Sequence, residues 1–492
     1  MTKRSLFVAL GGGVDGTSPE TQVSPGRLRT GVNIEAKPGG GYQRMEGYTA
    51  FDDEITGSGP IRGIHYFNGK LYAFRNDSAG TSCQMWSSTG SGWTLIKSGL
   101  TADGTYRMIT SDMDGSPAMY GASGTHKAFK FDGSTWTDIT TGMAADVPSH
   151  IAAHKQHLFL SFANSVQHSS IGNSSSWTPV TGAGELLVSE NVTGFSVMPN
   201  GSLGVFTRSG ITLLAGTSSS DWVANNMVEY GNNAGAIAGT IQSMGAAVRF
   251  CDSRGIIDFA ASDTSSDFYD AIISHDMDRA IQGLWGRAIS ATVVRAKNQY
   301  RLFFNDGSGV ILTFAANRVM ITQIQFPHVV HCVTNTEDSS GNERIYFGAD
   351  NGIVYQMESG RSFGGQAISA YAETAFTDMG DPHHVKRFRR LWVDLGRNGG
   401  ESLNVSATCL IDNDGDSNQS LGGFDIERGG TPLGIGRLGA MVLGTQPVAD
   451  GRINLSGTAK YISLKFSSST TDSAAWEING ITIDYFMGRK RR

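Results

Sequence analysis

Several short clusters in this chain have residue types and spacings that could do chemistry. Gly434-Ile-Gly-Arg-Leu-Gly439 fits the G-x-G-x-x-G pattern, whose glycines let a backbone close around a pyrophosphate at a helix N-terminus. That use needs a strand before it, a helix after it and an acid about 20 residues on. Here Gly-Gly-Thr-Pro-Leu precedes, no amphipathic helix follows and Asp450 comes too early, so the segment reads as a loop. Gly360-Arg-Ser362-Phe-Gly364 has the spacing that exposes a nucleophilic serine at a strand-to-helix turn. The strand is present at Ile353 to Met357, but Gln366-Ala-Ile-Ser-Ala continues toward another strand, and no catalytic residue is assigned.

Asp412-Asn-Asp414-Gly-Asp416 alternates carboxylates as a calcium loop begins, yet Ser417 and Gly423 stand where that loop wants glycine and glutamate. A polar hairpin tip is the reading. His383-His384, and His328 with His331, lack the helical i, i+4 spacing or the paired cysteines of a zinc site. Asp132-Gly133-Ser134-Thr135-Trp136 approaches the Asp box of sialidase-type propellers, but its aspartate and glycine are adjacent where the box separates them by one residue. No metal, cofactor or enzymatic activity is expected.

The strongest charge feature is Lys386-Arg387-Phe388-Arg389-Arg390-Leu391-Trp392, which interleaves bases with aromatics. Such a stretch suits nucleic acid or a protein interface; a net charge of -6 removes the global cationic field that tight DNA binding needs. The reading is therefore an outward face or a subunit interface. Arg489-Lys-Arg-Arg492 reads as a basic tail. Cys83, Cys251, Cys332 and Cys409 are far apart, which disfavours a disulfide framework. The apolar run from Leu6 stops at Gly11-Gly12-Gly13, too short for a membrane span, so synthesis in a cytoplasm and a soluble product are expected.

The elements that carry these residues are strands. Glycine supplies 64 of 492 residues with no collagen-like period, which implies many tight turns between short strands. Trp93, Trp136 and Trp177 each follow a small-residue turn and precede threonine; they and Trp222 are spaced by 43, 41 and 45 residues. That is the period of a four-stranded propeller blade. Within one unit, Ile61 to Phe67 and Lys70 to Phe74 flank Asn68-Gly69, a strong hairpin signal. Similar pairs surround Asn305-Asp306-Gly307 and Asp350-Asn351-Gly352. Residues 58–358 have room for about seven blades, and six with insertions fits as well. The tryptophans are expected to pack between neighbouring sheets. Met277, Ile281 and Leu284 recur at helical spacing, predicting one short helix from Ser274.

From Ser369 the strands lengthen, as in Arg387 to Leu395 and Lys460 to Phe466. The predicted fold is all-β: an N-terminal segment 1–57 packing with the C-terminal domain, a β-propeller over 58–358, a hinge over 359–368, an antiparallel β-sandwich over 369–488 and the tail 489–492.

Three stretches resemble one family. Leu10-Gly-Gly-Gly-Val-Asp15, Ser24-Pro-Gly-Arg-Leu28, Asn33-Ile-Glu35 and Gly39 to Tyr48 look like the N-termini of phage tail structural proteins that precede a propeller. Asp252-Ser-Arg-Gly-Ile256, Asp267-Phe268 and Ile273 to Asp278 are similar to the same group. Phe388 to Leu395, continuing to Ser406-Ala-Thr408, resembles the C-terminal sandwich of podovirus tail nozzle (tail tubular B) proteins. The resemblance implies a virion tail protein: a hexameric ring below the adaptor and portal proteins, with a sandwich platform against its neighbours, a propeller hanging outward, and DNA passing through the lumen. Tail fibres are a further partner it suggests. It implies no catalytic residues. The subunit and adaptor interface is expected at Arg27, Tyr42 and Arg44 together with Lys386, Arg387, Arg389, Arg390 and Trp392. The Trp-Thr blade endings have no place in that family's pattern, which keeps open a virion propeller that binds or cleaves host surface glycans.

Overall fold

The computed structural model describes residues 3–20, 22–216, 219–222, 227–230, 235–259, 272–281, 283–315, 318–396, 403–411, 419–428, 450–471 and 475–490. The chain is nearly all β, built from many small antiparallel sheets with only four-residue α-helices and short 3-10 turns among the described residues. No helix among them is long and apolar enough to cross a membrane.

Strand formation follows the alternation and turn chemistry of the sequence. Ser58–Phe67 pairs with Lys70–Asn76 in the register Phe67 to Lys70, and Asn68 (φ 46°) and Gly69 (φ 77°) take the left-handed conformations this tight turn demands. Ser82–Ser88 and Thr94–Thr101 complete that four-stranded sheet. Meanders of the same kind begin at Arg107–Ser111, His150–His154, Val192–Val197, Gln242–Met244, Ala288–Val294 and Val330–Glu337. The one starting at Gln242 has three strands, and the one starting at Ala288 runs on into a nine-stranded sheet.

Side-chain and backbone contacts link the first strands of successive sheets. His65 Nε2 lies 2.8 Å from Thr110 Oγ1, Arg107 Nη1 donates to the Ser149 carbonyl at 3.1 Å, and Gln242 Nε2 donates to the Ala291 carbonyl at 2.9 Å. Ser290 Oγ donates to the Val330 carbonyl at 2.6 Å, and Cys332 Sγ lies 3.7 Å from the Ile61 carbonyl, returning to the first sheet. These seven first strands line one cavity of about 660 Å³.

The remaining strands form two larger layers. One sheet runs Ile34–Ala36, Tyr42–Arg44, Glu477–Lys490, His384–Leu395, Asp450–Ala459, with Lys3–Ala9 also paired to Glu477–Lys490. The nine-stranded sheet places Leu28–Val32 between Arg318–Gln325 and Ile368–Thr374, then continues through Ile462–Thr470, Leu403–Ile411 and Gln419–Arg428. Leu391, Val393, Ile481 and Ile483 of the first layer share one apolar core with Val405, Ala407, Leu464 and Phe466 of the second. Gly26 (φ 90°) lets the N-terminal segment fold close: a side chain there would put its Cβ 2.1 Å from the Ala9 carbonyl oxygen.

Two boundaries differ from the sequence reading. The N-terminal segment does not stay whole, because Tyr48–Ala50 leaves the larger layers and pairs with Val354–Met357 as the last strand of the sheet begun at Val330. Such pairing across some three hundred residues leaves no local sequence signal. Residues 359–368 are also no free hinge. Tyr48 N–H donates to the Ser362 carbonyl at 3.0 Å, Gly364 N–H donates to the Tyr48 carbonyl at 2.9 Å, and the Phe363 ring stacks on Tyr48 at 5.1 Å. The expected helix is present as a turn over His275–Met277 running into Asp278–Ile281, with Met277 and Ile281 buried.

Candidate functional site

The basic strand His384–Leu395 does not present all its bases on one face. Its alternation buries Lys386, Phe388, Leu391, Val393 and Leu395 and exposes Arg387 and Arg389. A bulge between Phe388 and Arg390 against both neighbouring strands shifts the phase, so Arg390 and Trp392 are half-buried. Lys386 therefore cannot belong to an exposed interface in this subunit. Its ammonium donates to the carbonyls of Asp381 and, at 3.0 Å, of Lys460, and burial pulls its pKa down. Arg389 lies over the Phe486 ring at 5.8 Å, and Arg390 acts electrostatically on Asp484, which also accepts from Ser5 and pairs with Lys3 at 3.1 Å.

The N-terminal residues expected beside that strand are structural. Tyr42 is 1% exposed, and its hydroxyl sits 3.1 Å from both the Gly13 N–H and the Gly26 carbonyl. Arg44 is 2% exposed and reaches the Arg361 carbonyl at 3.4 Å. Arg27 pairs with Asp15 at 3.3 Å and with Asp276, pinning the glycine-rich N-terminal loop to the short helix. Of the expected interface residues, Arg387 and Arg389 stand exposed together on one strand.

Three of the four repeated tryptophans sit at the outer ends of their sheets rather than in the deep core. Trp136 opens the fourth strand of its sheet, half-buried and stacked on Phe129 at 3.9 Å, with its indole N–H donating to Asp138 at 2.8 Å. Trp93 donates to the Asp53 carbonyl and Trp177 to the Ser174 carbonyl, each at 2.9 Å and each half-buried. Trp222 alone is fully buried, packed among His154, His157, Phe159 and His168. Asp132 spends its carboxylate on its own turn, accepting from Ser134 and Thr135 backbone N–H groups at 2.8 and 2.7 Å, which holds its pKa down at about 2.

The remaining chemical motifs are not assembled into a site. Ser362 Oγ accepts from Gly365 N–H at 3.1 Å within a loop. His384 pairs with Asp381 at 2.9 Å, while His328 stacks on Tyr355 at 5.4 Å, apart from His331. No group of metal-ligating side chains occurs among the described residues. Gly434 to Gly439, Asp412 to Asp416, Asp267-Phe268 and the end of the tail at Arg491 and Arg492 lie outside the described residues.

The chain matches no family model and no curated protein. Solved structures to which it is similar include U3-55K, with a TM-score of 0.45 and 11% identity over 63% of this chain and 99% of that one. BBS1N, solved in complex with ARL6DN, gives a TM-score of 0.42 and 10% identity over 64% of this chain and 97% of that one. Neither likeness is close enough to bear on function.

Sequence reasoning missed the cavity walls. Arg107, His150 and Thr193 lie on three successive first strands and face one space. They recur every 43 residues, the mean of the tryptophan spacings, so a search for polar residues at that period would have found them.

Proposed function

We propose that this chain is a structural subunit of a short-tailed phage tail, a nozzle protein of the tail tubular B kind. In this reading the seven meanders close as a seven-bladed propeller, and the two larger layers pack as a β-sandwich platform. Copies of the platform assemble into a ring, a hexamer by the family resemblance, below the adaptor and portal, through which DNA passes without being gripped. The protein is then a virion component with no catalytic role.

The observation that carries the reading is an open edge on the platform. Lys3–Ala9 pairs only with Glu477–Lys490 among the described residues, and its Phe7 is 60% exposed. A bare strand edge bearing a large apolar side chain is a template for another chain. The same sheet carries exposed Arg387 and Arg389, and arginine beside aromatic residues is the composition of interface cores. The chain's two ends thus build one body able to meet its neighbours, and the propeller is inserted between them.

Electron microscopy of the purified protein mixed with a portal and adaptor assembly tests the proposal. Rings seated on that assembly support it. Monomers that never associate with it, at any protein concentration, reject it.

A further inference from the structure

The cavity lined by the first strands has a charge pattern opposite to that of the chain. The protein carries 45 acidic and 39 basic residues, yet among the described residues no aspartate or glutamate lines this space, which receives Arg107, Arg295, His65, His150 and His331. Arg295 is neutralised by Glu337 at 2.8 Å and Glu343 at 3.2 Å. Arg107 is not. Its Nη1 donates to the Ser149 carbonyl at 3.1 Å, and no carboxylate pairs with it among the described residues. Desolvation alone acts on its guanidinium, pulling the pKa down to about 10, while the side chain stays reachable from the cavity. A desolvated cation without a counter-ion is costly, and an anion entering the cavity removes that cost.

Two further polar atoms beside it have no hydrogen-bond partner of good geometry among the described residues. His150 is 7% exposed; its Nδ1 lies 2.9 Å from Ser149 Oγ and 3.2 Å from Ser161 Oγ, the Thr193 backbone also acts on the ring, and its buried Nε2 has no hydrogen-bond partner of good geometry among the described residues. Thr193 Oγ1, on the next strand, is likewise buried and unpartnered. Buried polar atoms without partners are rare enough to need a reason.

We propose that this cavity is a binding site for a small molecule bearing an oxyanion, a phosphate or a carboxylate, with Arg107 as its principal cation and His150 and Thr193 beside it. The planar guanidinium suits either oxyanion through paired hydrogen bonds. A volume of about 660 Å³ falls within the range of small-molecule sites. The inference rests on these lining residues and not on the virion reading.

The test uses the full chain and three probes, inorganic phosphate, tungstate and acetate, each compared with chloride at equal ionic strength. Binding to the folded state raises the melting temperature with ligand concentration. Phosphate and tungstate raising it while acetate does not identifies a phosphate site; acetate acting alone identifies a carboxylate site. Arg107→Gln should weaken the response about tenfold or abolish it, with circular dichroism showing that the variant folds. If it does not fold, a cryo-electron microscopy map of the unaltered protein with tungstate decides, since the heavy ion must lie within hydrogen-bond distance of Arg107. No response to any probe, an equal response in folded Arg107→Gln, or tungstate only elsewhere overturns the proposal.

Discussion

Arg301 and Glu35 form an ion pair with no access to solvent: Nη2 lies 2.7 Å from Oε1, and the two side chains are 0% and 1% exposed. The contact ties the strand Ile34–Ala36 of the six-stranded layer to Gln299–Phe304 of the nine-stranded sheet. Lys297 reaches Glu35 at 2.8 Å, and Glu358 pairs with both cations, so charges from three distant segments neutralise one another. Removing one partner strands the others in a low dielectric.

Glu35→Ala should therefore destabilise the protein by about 3–5 kcal/mol, read as a fall in the urea midpoint. Replacing Glu35 with Leu and Arg301 with Met together should recover much of that loss, because the double change leaves no unpaired charge at this contact. A single variant as stable as the parent would show that water reaches the cluster.

The tryptophans give a graded expectation. Trp222→Ala empties a fully buried site and should cost about 3–5 kcal/mol. Trp136→Ala removes a half-buried ring whose main contact is the stack on Phe129, and about 2 kcal/mol is expected, the stack itself supplying about 1. Chemical unfolding of both variants checks the order. If Trp136→Ala is the more damaging change, that ring is buried against a neighbouring copy of the chain.

Acid should weaken the third sheet well above the ordinary range of carboxylate titration. Desolvation, with Arg107 nearby, lowers the pKa of His150 to about 2, and desolvation with Lys155 and His157 lowers His154 to about 4. An unfolded histidine binds its proton near pH 6.5, so below about that pH the unfolded chain holds more protons than the folded one. Stability is full above pH about 6.5 and falls toward pH about 4, by up to about 1.4 kcal/mol per pH unit for each histidine. Melting temperatures between pH about 7.5 and 4.5 check this, and His154→Gln should flatten the slope. A melting temperature that stays constant across that range would mean these rings titrate alike in the folded and unfolded chain.

Legibility in the sequence followed the range of the interaction. The hairpin at Asn68-Gly69 was readable because two alternating runs and an Asn-Gly pair fix it within a dozen residues. The sheet period was readable because the tryptophans repeat at a fixed step, although their depth was not: a residue opening the outermost strand has a neighbour on one side only. Lys386 was misread because the bulge after Phe388 breaks the period-two rule by which a strand's faces are assigned. Tyr42 and Arg44 were misread because what buries them, Gly13, Gly26 and Arg361, arrives from other segments.

The exposed arginines carry the assembly hypothesis, and their variants should separate folding from association. Arg387 and Arg389 project from a strand whose buried face already holds Phe388 and Leu391, so reversing their charge leaves the core intact. Arg390 is left unchanged because its charge acts on Asp484, and Lys386 because its ammonium is buried. The double variant Arg387→Glu and Arg389→Glu should give an unaltered circular-dichroism spectrum and a melting temperature close to the parent's, since surface charges contribute little to stability. Association should fail, because like or unpaired charges in a subunit contact cost several kcal/mol. Sedimentation with and without portal and adaptor proteins reads the outcome. Phe7→Ser, on the open edge of the same layer, should act in the same direction without sharing a side chain with the first variant. If both proteins assemble like the parent, this layer faces solvent and any contact between subunits must be sought on the small meanders.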